Sequence, residues 1–168
     1  MTIVYYSRTG SAEHYASQLS SILRFPSISF TEAMDELEKG EEIIYIGAMR
    51  MGRIANIDKA MAGFKVTLAL GVGLEEGVED KVREASLIPP SIPLLLLPGA
   101  YYPDRLKGFE KFIMKMVTSA KVKELEKKGE RSGKEERILN VLKNGGTVYS
   151  EEELKKAASL WKERYEEK

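Results

Sequence analysis

The residues best suited to chemistry are Ser7, Arg8, Thr9, Gly10, Ser11 and Ala12, which stand between an apolar run at 3–6 and a stretch of helical periodicity. Three hydroxyls, a guanidinium and a glycine at a strand-to-helix junction suit an anion. The first turn of a helix carries N–H groups without intrahelical partners, together with the positive end of the helix dipole. Gly10 lets the backbone come close to a ligand, Ser7, Thr9 and Ser11 supply donors, and Arg8 adds charge. A phosphate is the expected guest. The same residues also suit an ordinary turn in which Thr9 or Ser11 does no more than cap the helix. His14 lies off the apolar stripe of that helix and is read as solvated, without a catalytic role.

Three more loops follow later apolar runs. Gly47-Ala48-Met49-Arg50-Met51-Gly52 brings soft and basic side chains after the third run. After the fourth run come Gly71, Val72 and Gly73, with a further glycine at 77. That spacing is one position too wide for the dinucleotide fingerprint and does not open the first βα unit, so no nicotinamide site is read there. Glu75 and Glu76 are expected to start a helix, where negative charge is favourable. Tyr101 and Tyr102, in the loop "PGAYYPDRL" after the fifth run, either face a ligand or pack their own loop.

The elements that must position these loops are short. Apolar runs at 3–6, 27–30, 43–46, 65–70 and 92–97 have strand length, and four of them are rich in Ile, Val, Leu or Tyr. Segments readable as helices alternate with them. In the first, Ala12, Ala16, Leu19 and Leu23 fall at helical spacing; "TEAMDELEKG" reads as a short helix stopped by Gly40. Alternating β and α implies a parallel sheet covered on both faces, and ligands of such sheets sit beyond the carboxyl ends of the strands. Beyond residue 97 a helix is expected over 106–117, with Leu106, Phe109, Phe112, Ile113, Met116 and Val117 as a stripe flanked by Lys107, Lys111 and Lys115. That stripe suits either the core or an anionic membrane surface. Residues 121–137, nearly all charged, make either a solvated helix pair broken at Gly129 and Gly133 or a mobile excursion. Ser150 and Glu153 form an S-x-x-E capping box for a last helix that buries Leu154, Ala157, Ala158, Trp161 and Tyr165.

Composition narrows the choices. The chain has 168 residues, about one domain, and 26 basic residues balance 26 acidic ones, so nucleic acid has no global attraction to it. No cysteine and a single histidine leave no disulfide, no thiolate zinc or iron–sulfur site, no cysteine nucleophile, and no expected metal centre. No export signal or membrane span is read, which makes the cytoplasm the expected location, with peripheral contact at the inner membrane face as an added expectation. An aspartate ending the third strand, as a receiver domain needs, is missing, and so is the G-x-x-x-x-G-K loop of nucleotide hydrolases.

On these residues the chain resembles the flavodoxin superfamily, whose phosphate loop for flavin mononucleotide (FMN) reads roughly S/T-x-T-G-x-T directly after the first strand. Ser7-Arg8-Thr9-Gly10-Ser11-Ala12 matches except at the last hydroxyl. Within that superfamily it is most similar to the menaquinone-dependent protoporphyrinogen oxidase branch, through the run at 47–52 and through "PGAYYPDRLKGFEKFIMKMV". The resemblance spans residues 2 to about 118 and the last helix. It implies a single domain, 1–168, with a charged helical excursion at about 119–146. The implied fold is a three-layer α/β sandwich around a five-stranded parallel sheet in the order 2-1-3-4-5, with helices on both faces.

The resemblance also implies FMN as cofactor. Residues 7–12 would take its phosphate, while Ala48, Met49, Arg50, Met51 and Gly52 would meet the ring, with Gly52 turning an amide toward N5. Arg50 or Arg53 near N1 would favour the reduced, anionic flavin. Gly71, Val72 and Gly73 would offer backbone donors from the other side, and Tyr101 or Tyr102 would close the pocket. No side chain then needs to act as a catalytic acid or base, because the flavin performs the chemistry. Three functions are expected from this: an oxidoreductase passing electrons to a quinone or other small acceptor, an electron carrier docking redox proteins, or a cofactor-free binding module with a degenerate phosphate loop. Zero net charge weakens the carrier, which is typically acidic and steered to basic partners.

Overall fold

The structure is a computed structural model that describes residues 1–166. In chain order the elements are β1 (Thr2–Tyr6), α1 (Ser11–Leu23), β2 (Ser27–Ser29), α2 (Phe30–Glu36), β3 (Glu42–Arg50), β4 (Arg53–Ile54), α3 (Ile57–Gly63), β5 (Lys65–Gly73), α4 (Glu79–Ala85) and β6 (Leu94–Pro98). Then come β7 (Ala100–Tyr101), a 3-10 turn at Pro103–Arg105, α5 (Gly108–Lys127), α6 (Gly133–Asn144), β8 (Gly146–Thr147) and α7 (Glu151–Glu166). The chain divides into two compact units, one of Met1–Pro98 with Ser150–Lys168 and one of Gly99–Tyr149.

The first unit is an α/β layered fold around a mostly parallel sheet. Its order is β2-β1-β3-β5-β6, and β4 pairs antiparallel with β3. Six strands thus replace the expected five in the order 2-1-3-4-5. The added strand arises because Met51 and Gly52, at φ 50° and 76°, turn the chain straight back on itself. Successive β1 residues serve opposite faces. Val4 joins Phe30, Ala33, Ile57, Ala60 and Val82 of α2, α3 and α4 in one core cluster. Tyr15, Ala16 and Leu19 of α1 and Leu154 and Ala157 of α7 are buried on helices that meet each other and the other side of the sheet. Each large apolar side chain removed from water in this way contributes about 1.5–3 kcal/mol before the entropy of ordering it is charged. Trp161 of α7 donates from Nε1 to the Thr67 hydroxyl at 3.1 Å and stands edge-on to Phe25.

Several boundaries differ from the sequence reading, each for a local reason. β2 stops at Ser29 because Ser29 caps α2: its hydroxyl accepts the Glu32 N–H and the Glu32 carboxylate accepts the Ser29 N–H. Phe30 is therefore the first residue of a helix, and that helix ends at Glu36, ahead of Gly40. β3 and β5 each run past their apolar cores, to Arg50 and Gly73, because the two strands pair with each other through Ala48 and Val72. α4 opens at Glu79, whereas Glu75 precedes it and its carboxylate accepts the Leu74 N–H at 3.1 Å. The box at Ser150 is half made. Its hydroxyl accepts the Glu153 N–H, but its own N–H goes to Tyr15 while the Glu153 carboxylate pairs with Lys156.

The second unit joins a two-stranded β7–β8 ribbon to a helix pair. α5 runs ten residues beyond the expected end at 117, and the charged stretch 121–137 forms the end of α5, a turn, and the start of α6. Charge itself knits this turn. Lys128 pairs with Glu135, Lys143 with Glu126, and Arg131 with Glu136 at 2.7 Å, while the Arg131 guanidinium donates to the Leu125 carbonyl at 3.0 Å near the end of α5. Ser132 caps α6 in a capping box with Glu135, so Gly133 opens a helix where a break was expected. Ile138, Leu139, Val141 and Leu142 form the buried stripe of α6, and Thr118 and Leu125 are the buried residues of α5.

Candidate functional site

Three of the four groups singled out in the sequence come to one edge of the first unit's sheet. Tyr6, which ends β1, pairs with Gly47 of β3, and Ala48 of β3 pairs with Val72 of β5. Loop 7–10, the hairpin formed by β3 and β4, and the end of β5 therefore emerge side by side at the carboxyl ends of parallel strands, the side on which open α/β sheets hold ligands.

The first loop is a tight, hydroxyl-lined turn. Ser7 Oγ accepts the Gly10 N–H at 3.0 Å, and the Thr9 and Ser11 hydroxyls share a hydrogen bond of 3.1 Å. Gly10 is the N-cap of α1 at φ 90°, a conformation that only glycine adopts cheaply, and nothing lies within 4 Å of where a β-carbon would stand. With glycine as N-cap, α1 receives no side-chain cap from that position. Thr9 and Ser11 bond to each other, and neither stands at the N-cap where the capping alternative would put it. Ser11 and Ala12 are buried, Ser7 and Thr9 half-buried, and Arg8 and Gly10 exposed.

At 47–54 the chain forms a β-hairpin where a loop was expected. Ala48, Met49 and Arg50 belong to β3; Met49 pairs with Ile54, and Arg50 with Arg53. Met51, 66% exposed, and Gly52 form the turn, both at positive φ as two-residue hairpins of the primed type require. The two arginines, directly cross-strand, concentrate positive charge beside the tip. Gly47 is needed underneath: a β-carbon there would run into Ile54 Cγ2 and stand 2.9 Å from the Tyr45 ring. Tyr45 anchors the hairpin by donating to the Ala55 carbonyl at 2.7 Å, and burial pushes its phenol well above the ordinary tyrosine range.

Gly71, Val72 and Gly73 are strand residues, correcting the loop reading. Gly71 pairs with Gly47 on one side and Leu96 on the other, so the ladders occupy this stretch of backbone. The glycines make room. A β-carbon at Gly71 would stand 2.9 Å from the Met49 sulfur, and one at Gly73 would stand 2.8 Å from Met49 Cβ. Met49 is thus packed on β5, and Met51 is the methionine at the exposed tip. Nothing in spacing alone shows this, because Met49 and the two glycines are far apart in sequence.

Tyr101 and Tyr102 belong to the second unit. Tyr101 is buried and pairs with Gly146 in the β7–β8 ribbon; the ring of Tyr102 carries the Arg105 guanidinium 4.3 Å from its centre. No helix among the described residues is long and apolar enough to cross a membrane. The chain matches no family model, no curated protein and no solved structure. What the fold defines is an α/β protein with a mostly parallel sheet flanked by helices.

Proposed function

We propose that this chain is a flavodoxin-like cytoplasmic redox protein that binds FMN, and an oxidoreductase that passes electrons through it to a quinone or similar small acceptor. The observation that carries this reading is the turn at Gly10. A left-handed glycine, three clustered hydroxyls and the N-terminus of a long helix meet at the carboxyl edge of a mostly parallel sheet. The residues fit the phosphate end of FMN, since Gly10 leaves the space above the helix start open. Ser7, Thr9 and Ser11 would donate to the phosphate and Arg8 would add charge. Ala12 offers only a methyl. Met51 and Gly52 would border the ring, with Arg50 and Arg53 holding positive charge near its reducible edge. A bound flavin supplies hydride or electron transfer; the chain binds it, orients it and limits water around it.

A second reading, a cofactor-free binding module, draws support from the buried methyl of Ala12 and from Met49 already filling the space over Gly71 and Gly73. The absorption spectrum of the purified protein separates the two. Visible flavin bands, with FMN released on denaturation, are expected. If the protein is colourless, and added FMN neither loses fluorescence nor raises the melting temperature, the redox reading falls.

A further inference from the structure

We infer that Ser86, at the end of α4, is the positioning residue that fixes the arginine-bearing hairpin of the candidate site. A strand of two residues, Arg53–Ile54, is too short to place itself through its ladder alone. Other bonds must hold it. The Ala55 N–H donates to the Ala48 carbonyl at 3.0 Å, so the Ile54 N–H, one residue earlier, points away from β3. Ser86 Oγ accepts that N–H at 3.1 Å. Ile54 is 2% exposed and Ser86 0%, so bulk solvent does not reach the bond, and a donor left without its acceptor there would be costly.

The hydroxyl is itself held in place. Ser86 is the C-cap of α4, and its N–H donates to the Val82 carbonyl at 2.9 Å. Val82 is 1% exposed and shares one core cluster with Ile54 and Tyr45. The other hydroxyl on the returning chain, that of Tyr45 on the Ala55 carbonyl, comes from β3, the strand that the hairpin extends. Ser86 ties the hairpin to a different element, 32 residues further along the chain. Such a tie has work to oppose. Arg50 and Arg53 stand directly opposite each other, and like charges so placed weaken a strand pair. With the Ile54 amide pinned, their repulsion does not swing β4 aside, and the pair stays beside the ends of β1 and β5. The consequence for a bound ring rests on the redox reading: arginines held near the reducible edge favour the anionic reduced flavin, and arginines on a loosened hairpin favour it less.

The test is amide hydrogen exchange of the full chain, read by NMR as the ratio of the Ile54 rate to that of Ile46, which is fully buried and paired on both sides. Ser86→Ala should raise the ratio at least roughly tenfold, because the Ile54 amide loses its acceptor. Ser86→Cys, a weaker acceptor of similar size, should raise it less, and Tyr15→Phe, which loosens another part of the unit, should leave it unchanged. An unchanged ratio in Ser86→Ala overturns the inference, as does an unchanged ratio in Ser86→Cys if the alanine variant does not fold. An equal rise in Tyr15→Phe overturns it too. FMN titration of the same proteins carries the functional half: Ser86→Ala should bind FMN roughly tenfold more weakly, and at a lower midpoint potential. A wild-type chain that takes up no FMN defeats the redox reading and leaves the exchange result standing. Equal affinity and equal potential in wild type and Ser86→Ala leave the redox reading standing and defeat the role given to Ser86.

Discussion

The buried hydroxyl of Tyr15 accepts the backbone N–H of Ser150 at 2.9 Å and donates to the Pro98 carbonyl. Pro98 is the last residue before the second unit and Ser150 the first after it. One side chain from α1 therefore holds the two residues of the first unit between which the 51 residues of the second are inserted. Tyr15→Phe keeps the ring and strands the Ser150 amide, so a loss of about 1–3 kcal/mol is expected in urea unfolding. Unchanged stability would show that water or a local shift replaces the phenol.

Gly47 is the floor of the hairpin. Gly47→Ala should destabilise by about 1–3 kcal/mol, because its methyl meets Ile54 and Tyr45 inside a packed core. The Tyr45 phenol should then ionise at lower pH in an ultraviolet titration, since displacing Ile54 opens the ring to water.

In the turn that opens α1, Thr9→Glu places a carboxylate where the proposed function puts a phosphate. FMN affinity should fall at least roughly tenfold, a step of ~1.4 kcal/mol, with the far-UV spectrum intact. Gly10→Ala meets no neighbour yet must hold φ near 90°, so it should cost about 1–2 kcal/mol of stability through strain alone. Unchanged FMN affinity in Thr9→Glu would remove the phosphate from this loop.

Acid should loosen the helix caps and the helix pair. Hydrogen bonds from Ser29 hold the Glu32 carboxyl below its usual range; Lys128 does the same for Glu135, and Lys143 for Glu126. A pKa lowered by folding stabilises the protein above the unfolded value and ceases to do so as pH falls through the folded one. The melting temperature should therefore drop on acidification through the carboxylate range, and Glu32→Gln should flatten part of that slope. Glu32 and Glu126 are exposed and Glu135 is half-buried, so salt should weaken the effect.

The strands and outer helices are legible because their chemistry is local. Ile3, Val4, Ile43 and Ile44 are β-branched and apolar, and Ala12, Ala16, Leu19 and Leu23 bury at helical spacing. What escapes the sequence depends on partners far along the chain. Gly-Ala-Met-Arg has little strand propensity, and Met51 is no ordinary residue for a left-handed turn; pairing with β5 and β4 overrides both. The end of α5 is unreadable because Leu125 and Glu126 find their roles only once α6 lies alongside. In the candidate site, the glycine and hydroxyls at 7–11 are visible as a turn, whereas the purpose of Gly71 and Gly73 becomes clear only with Met49 lying over them.

The hairpin at the end of β3 also bears on solubility. β1 stops pairing at Gly47 and β5 at Ala48, so Met49 and Arg50 would otherwise project as an open rung of backbone donors and acceptors, inviting a stray strand from another molecule. Arg53 and Ile54 fold back to fill that rung, and two arginines guard it by repulsion. One of the two longest strands of the sheet thus has its carboxyl end closed by its own chain against a stray partner.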